Sequence, residues 1–588
     1  MNLVQFLKKV DTKVSDMTKE QLQSCIHELA RTLSESERYH FLDVIGTVQG
    51  NSIASILKEK SYCDEVSSEI KAIKEILAHI NNGERYLDSE YNEEWDDWYN
   101  SDVDEVLFSD PEHLLKDIQK GIRLLHKCVD MELYKEGLEL AELLSALEVS
   151  ATGDYNDYDG TPLGVQELYG HDLLSGTFET VMEDALYLAY MGNEPSVRAE
   201  EVYYMMSNFG YYHVTLERMM QKGSRELPDF QEFLIAWIEF LGCQTGPGVK
   251  LLLQEAQSMV EDEGQTLEIA RKYVKQQPEL YKHLLQNGLT SDAWDKMLEI
   301  GLEALQKIPV TYILRSEIAL LTAEFASRLH DRKNVEFCWL EAFRSHTSVV
   351  NYMRLRYMVE DWKQSSSQVA QIYKELYKKT NSQGKSDSMY YYQNVPQSSY
   401  LDRNAYCMLL FFDGDYENVI RVGLSETEAL GWSSTFMKQG LALFLLLLYK
   451  REKLSKGLES MLRIVISGCG FQVETFLQGT GLHRDIKEKE LFWELFSKWK
   501  SEYVFTEEDC SRWMKMIEKY IAKRTEAIMD ANRRNYYGEC AAFIAAYGEV
   551  CESRDGYGTK ECIMERYKTN YPRRRAFHQE LREYGMYI

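Results

Sequence analysis

Three cysteines near the end of the chain, Cys540, Cys551 and Cys562, recur every 11 residues. In an unbroken helix this spacing would place their thiols on one side, and thiolates at short range are zinc ligands. No Cys-x-x-Cys motif and no Cys/His pair of usable spacing accompanies them, and the turn at 556–558 interrupts the helix before the third. We therefore interpret all three as buried structural cysteines and predict no metal site.

Two other stretches contain part of a ligand-binding motif. Residues 154–160 resemble a calcium loop, but their oxygen ligands do not alternate and no acid closes the loop at its twelfth position. Residues 242–250 place three glycines before Lys250, without the spacing or the strand of a phosphate loop. The sequence also contains no His-Glu-x-x-His motif and no Gly-x-Ser-x-Gly elbow. It predicts no catalytic residue and no cofactor, and it leaves open an enzyme whose site forms only in three dimensions.

A strongly acidic stretch runs from Asp88 to Asp110 and contains ten acidic residues interleaved with Tyr91, Trp95, Trp98 and Tyr99, and no lysine or arginine. Two interpretations stay open. The stretch is an exposed acidic loop whose aromatic rings cover nearby apolar surface, or it is a docking segment for a basic partner. The candidate partner-binding residues are Glu93, Glu94, Trp95, Asp96, Asp97 and Trp98.

The densest basic cluster is Arg573, Arg574 and Arg575. One interpretation pairs these arginines with acidic residues of the protein itself. The other has them contact a phosphate or an acidic partner, for which the planar guanidinium is suited.

The helices that must position these residues are clearest between Ser291 and Met358. Leu-Glu-Ala-Leu at 302–305 returns 38 residues later as Leu-Glu-Ala-Phe at 340–343, a period typical of paired helices stacked in a solenoid. The apolar residues of the first helix follow the spacing of one helical face. They are Trp294, Met297, Leu298, Gly301, Leu302, Leu305 and Ile308. We predict an all-α fold, an α-solenoid of helix hairpins with a C-terminal helical cap.

Composition changes along the chain suggest a division into segments. Turn-rich residues mark candidate connections, and continuous helical periodicity marks the repeats. The predicted segments are an N-terminal helical segment (1–80), the acidic loop (81–110), a helical-repeat array (111–380), a linker (381–399), continued helical repeats (400–520) and the cap with the basic cluster (521–588).

The chain has 588 residues and a formal net charge of −27, which disfavours general attraction to nucleic acid or anionic lipid. Its eleven cysteines show no disulfide-like arrangement and favour a reducing compartment. The longest apolar run, 440–449, is about half of a membrane span. The first residues carry charges where a signal peptide would need an apolar core. We expect a cytoplasmic protein without a membrane partner.

Two resemblances accompany these patterns. Residues 406–420 resemble a tetratricopeptide hairpin, in which an apolar helix ends at a Gly-Asp-Tyr turn. The tail, through 524–528, 533–537, 541–550 and 571–582, is similar to the helical C-terminal region of bacterial SWIM zinc finger proteins. The element that defines that family is Cys-x-Cys followed by Cys-x-His, and no Cys-x-Cys occurs in this chain, so the family's zinc binding and DNA binding do not carry over. The resemblance implies a helical-repeat body of unassigned function.

The expected function is a helical-repeat scaffold that binds a protein or peptide partner, because stacked hairpins form extended binding surfaces. The partner is expected to be basic where it docks. A nucleic-acid-associated protein acting through the basic C-terminal segment is the alternative, together with the enzyme named above.

Because no ligand set is apparent, we expect the protein to fold without metal. Treatment with a chelator should leave its Tm unchanged in a calorimetric scan. Stoichiometric zinc in the purified protein, with a Tm that the chelator lowers, would contradict this and would point to Cys540, Cys551 and Cys562.

Overall fold

The computed structural model divides the chain into two compact units, residues 1–283 and 284–588. It describes part of each, in segments separated by gaps. The described residues are 13–14, 17–19, 21–22, 25–26, 53–92, 106–153, 160–210, 215–223, 227–245, 248–382, 399–425, 429–555 and 559–586.

The first unit contains a series of helices and a small sheet. Its strands are β1 (Leu87–Tyr91), β2 (Val106–Ser109) and β3 (Ala151–Gly153). Its helices are α1 (Ile53–Asn81), α2 (Leu114–Asp130), α3 (Tyr134–Ser145), α4 (Val165–Gly170), α5 (Phe178–Gly192), α6 (Arg198–Asn208), α7 (Leu216–Met220), α8 (Phe230–Gly242), α9 (Val249–Met259), α10 (Glu263–Lys272) and α11 (Glu279–Gly288), the last of which continues into the second unit.

In the described residues of the second unit, the named elements of secondary structure are all helical. Besides α-helices it has a π-helical turn (Val419–Gly423) and two 3-10 turns (Ala429–Ser434 and Arg534–Tyr536). Its α-helices are α12 (Trp294–Lys307), α13 (Leu314–Arg328), α14 (Arg332–Ser345), α15 (Val349–Met358), α16 (Trp362–Ser382), α17 (Arg403–Phe412), α18 (Tyr416–Asn418), α19 (Phe436–Leu448), α20 (Lys456–Cys469), α21 (Val473–Leu477), α22 (Glu488–Ser501), α23 (Glu507–Asp530), α24 (Tyr537–Asp555), α25 (Thr559–Asn570) and α26 (Arg575–Glu583).

The predicted all-α class of packed helix hairpins is confirmed. Helix α13 packs against both α12 and α14, so the two copies of the repeated motif lie on helices separated by one partner helix. Gly301 of α12 faces Thr322 of α13 so closely that a Cβ atom would collide with the threonine hydroxyl. A small residue is therefore needed at this crossing. None of the described helices is both long and apolar enough to cross a membrane.

Strands β1 and β2 lie near the two ends of the predicted acidic loop (81–110), so the prediction of a loop is wrong for the residues of these strands. β1 pairs antiparallel with β2, with Tyr91 opposite Val106, and parallel with β3, with Leu87 opposite Ala151. A purely helical periodicity search misses this sheet because its strands are only three to five residues long.

Two predicted segment boundaries also differ from the structure. The boundary at 520/521 falls inside α23, a continuous helix of 24 residues, so the cap does not begin there. The division between the two units at 283/284 falls inside the predicted 111–380 array. Most of the predicted linker, residues 383–398, lies outside the described residues.

A buried arginine joins two distant parts of the second unit. Arg354 of α15 is fully buried and donates hydrogen bonds to the carbonyl oxygens of Phe476 (3.0 Å) and Thr475 in α21 and to the side chain of Asn351. No described carboxylate pairs with it. Burial lowers the pKa of Arg354 from its ordinary value, yet a guanidinium stays charged at neutral pH. The carbonyl dipoles therefore compensate for its lost hydration.

Replacing Arg354 with methionine should keep the side-chain volume but leave these carbonyl groups buried and unpaired. We expect the free energy of unfolding to fall by about 3 kcal/mol, measured by urea denaturation. Arg421→Met is the control, because Arg421 is exposed and its side chain bonds only Asn418 among the described residues. It should change stability by less than about 0.5 kcal/mol. Equal stability of the Arg354→Met variant and the parent would contradict the role given to Arg354.

Candidate interaction surfaces

The six predicted partner-binding residues, Glu93, Glu94, Trp95, Asp96, Asp97 and Trp98, lie outside the described residues. The structure does describe the base from which their segment begins and to which it returns. That base is the antiparallel pair of β1 and β2, on which Tyr91 and Leu107 each expose nearly half of their surface. Apolar side chains are therefore exposed directly beside the acidic segment.

Among the described residues, the arginines of the basic cluster have no acidic ion-pair partner. Arg574 donates to the side-chain oxygen of Asn532 (2.6 Å) and to the carbonyl oxygen of Met529 (2.6 Å), both of which are neutral. Arg573 and Arg575 are exposed, and no described acid lies within ion-pair distance of either. The structure therefore shows no ion pair between this cluster and an acidic residue within the described part of the chain.

The bonds of Arg574 bring a second pair of arginines to the same place. Arg533 and Arg534 directly follow Asn532, both are exposed, and neither has a described acidic partner. We call Arg533, Arg534, Arg573, Arg574 and Arg575 the arginine patch. The two halves of the patch are about 40 residues apart in sequence, so only the three-dimensional fold unites them.

A cleft lies between α23 and α25, next to the patch, with a volume of about 650 Å³. Within it, Arg566 pairs with Glu518 at 2.8 Å, and Glu518 also accepts a hydrogen bond from Tyr547. We call it the α23–α25 cleft. It is lined by Lys515, Glu518, Lys519, Ala522, Glu526, Arg566, Tyr567, Asn570 and Tyr571.

The cysteines are distributed as predicted only in part. Cys540 and Cys551 are buried in α24, and burial raises the pKa of Cys540 to about 12. Cys562 is exposed on α25, so its interpretation as a buried cysteine is wrong. Within the described ranges, no three His, Cys, Asp or Glu residues come together as possible metal ligands.

The other partial motifs have no ligand-binding geometry in the described residues. Helices lie on both sides of the 242–250 glycines, and Lys250 pairs with Glu279 at 2.6 Å. Residues 154–159 lie outside the described residues. A further surface cavity of about 370 Å³ has several acidic residues in its wall. All three of them are already bonded, since Asp262 accepts from the backbone at the start of α10, Glu268 pairs with Arg271 and Glu239 pairs with Lys272.

A partly buried ion network in the first unit, centred on Asp184, was not predicted from the sequence. Asp184 of α5 is buried and contacts both His126 of α2 (3.0 Å) and Lys222 (3.1 Å). Lys222 also pairs with Glu183 at 3.0 Å. The hydrogen bond to Asp184 raises the pKa of His126. His126, Asp184 and Lys222 are 38 to 96 positions apart, which explains why no sequence motif indicates them. No described serine or cysteine contacts His126, so the arrangement does not indicate a catalytic nucleophile. We interpret it as a contribution to the stability of the fold.

Comparison with known protein families finds none that matches this chain, and comparison with curated proteins finds none either. The SWIM resemblance of the tail therefore stays a prediction.

The His126–Asp184 contact predicts a pH-dependent stability. The ion pair between protonated His126 and Asp184 contributes fully to the stability of the fold below pH 6.5, the ordinary pKa of histidine. This contribution to stability is lost as the pH rises through the raised pKa of His126 in the folded state. The Tm of His126→Gln should therefore lie furthest below that of the parent in acid, and the difference should shrink as pH rises. Calorimetry over this range measures it. A difference independent of pH would show that the charged pair does not form.

Proposed function

We propose that this protein is a helical-repeat scaffold that binds a protein or peptide partner. The observation that carries the proposal is the β1–β2 pair, because it exposes Tyr91 and Leu107 at the base of a stretch rich in acids and tryptophans. Binding surfaces combine apolar anchors with charges in this way.

The charge of the segment indicates the chemistry of the partner. Residues 93–105 contain seven acids and no basic residue, and the chain as a whole carries a net charge of −27. A partner that is basic at the contact would be steered toward this segment, while Trp95 and Trp98 would supply apolar contact. We further propose that the protein acts in the cytoplasm, since no disulfide is formed among its described cysteines.

Binding to such a partner should weaken as salt rises, because the screening length falls from about 8 Å at physiological ionic strength to about 3 Å at 1 M. A variant with Glu93, Glu94, Asp96 and Asp97 changed to their amides should associate more slowly. Trp95→Ala should instead dissociate faster, because it removes an apolar anchor. Both rates are measured by surface plasmon resonance against a partner captured from native lysate.

The matched control changes four exposed acids elsewhere in the first unit to glutamine. Glu65, Glu75, Glu194 and Glu200 serve, since all are exposed and have no described ion-pair partner. This control alters net charge equally and should bind nearly as the parent does. Equal affinity of the amide variant and the parent at low and high salt would show that the acidic stretch is only a solvated loop.

A further inference from the structure

The strongest unassigned surface feature is a concentration of unpaired positive charge in an acidic protein. Within the described residues, the α23–α25 cleft and the arginine patch bring together eight basic residues and three acidic ones, counting Asp530. Only Arg566 has an ion-pair partner. In a chain with a net charge of −27, exposed cations would be expected to lie close to carboxylates. The separation of these cations from carboxylates is therefore a feature of this sequence. We propose that the cleft and the patch together bind an extended peptide of a partner protein that carries carboxylates or phosphates at one end.

The cleft and the patch form one continuous surface. Tyr571 lines the cleft, and its carbonyl oxygen accepts the backbone N–H of Arg574 at 3.1 Å. This turn fixes the arginines at one end of the cleft, beside the last turn of α23, which Arg574 contacts at Met529. Lys515 and Lys519 mark the other end.

The length of this surface suits a short peptide. From Lys515 to Asp530, α23 is about 22 Å long at about 1.5 Å per residue. An extended peptide covers that length with about seven residues, at about 3.3 Å each. The tyrosine rings of Tyr567 and Tyr571 provide apolar surface along the path.

The arginine end is arranged to receive an anion. Arg574 is held by two hydrogen bonds from its guanidinium, while the neighbouring Arg573 and Arg575 are exposed and have no acidic partner among the described residues. Guanidinium groups bind carboxylates and phosphates through paired, charge-assisted hydrogen bonds. A fixed central arginine with two adaptable neighbours lets several donors converge on one anionic group.

The acidic residues in the cleft favour a peptide over a nucleic acid. Glu518 and Glu526 line the path, and Asp530 lies at its end, where each would repel a continuous phosphate backbone. A peptide carries its negative charge locally and can place neutral or basic side chains beside these carboxylates. The negative charge of the whole protein also opposes a long polyanion, whose affinity depends on many phosphate contacts.

The test measures fluorescence anisotropy with labelled peptides of about eight residues, a length that spans the cleft. One probe has glutamates at one end, a second has phosphoserines there, and a third has glutamines. Both anionic probes should bind the parent, whereas the glutamine probe should not. Tighter binding of the phosphoserine probe would assign the ligand as phosphorylated, and tighter binding of the glutamate probe would assign it as acidic.

Two variants separate the patch from the cleft. Arg573→Glu combined with Arg575→Glu should weaken the anionic probes at least about tenfold, because each loses charge-assisted hydrogen bonds. Ala522→Trp should also weaken them, because Ala522 is exposed in the cleft and a large ring would fill it. Parent-like binding by either variant would overturn the corresponding half of the proposal.

The matched control is Lys333→Glu combined with Lys453→Glu, which changes net charge equally at exposed positions of the same unit. It should bind the probes as the parent does. A comparable loss of binding would show that the effect of the arginine variant comes from overall charge alone.

A single-stranded oligonucleotide serves as a further probe. If it bound the parent more tightly than the peptides do, and if the arginine variant lost that binding, the proposal would be replaced by a nucleic-acid site. All these variants leave the acidic segment of the first unit intact, so their outcome is independent of the proposed scaffold function.

Discussion

The second unit depends on charged side chains that are buried at the ends of helices rather than exposed on its surface. Arg354 is the clearest case, because it is fully buried and satisfies carbonyl groups of a short helix more than 120 residues away. Trp339 of the preceding helix reaches the same region through a hydrogen bond to the carbonyl oxygen of Gly479 (3.0 Å). Terminal carbonyl groups have no partner within their own helix, and burying them unpaired is costly. One arginine and one indole thus attach the segment around 473–479 to the hairpins beneath it.

The same solution recurs along the unit with different residues. Arg315 bonds the carbonyl oxygen of Leu305 (2.8 Å) and pairs with Glu341 (2.5 Å), which belongs to the second copy of the repeated motif. Glu549 accepts the first backbone N–H groups of α20, at 3.0 Å and 2.9 Å, and also pairs with Lys560. Each bond links a helix end to a side chain from elsewhere in the chain. Packing of apolar stripes brings the helices together, and these bonds fix which helix ends meet, since an unmatched buried charge is strongly unfavourable.

The arginines of the surface patch differ from these buried ones in every respect that matters for function. Arg524 is buried and pairs with Glu539 at 2.9 Å, whereas Arg573 and Arg575 are exposed and pair with no described acid. The first kind already has its hydrogen-bond partners inside the protein and contributes to stability. The second kind retains its full capacity for an anionic partner. Whether an arginine is structural or available for binding therefore depends on the residues that surround it. The arginine patch forms because two hairpins converge near Asn532.

The sequence by itself determined the class of fold, because helical periodicity repeats over every hairpin and is a local property that one stretch such as 294–308 already displays. It also identified Arg573, Arg574 and Arg575 as a cluster, since they are adjacent. The sheet escaped detection because β1 and β3 are short strands about 60 residues apart. Only the tertiary structure decided that Cys562 is exposed, that Arg354 bonds α21, and that Arg533 and Arg534 join the basic cluster. Each of these depends on contacts between residues far apart in sequence, and no local pattern records which distant segments pack together.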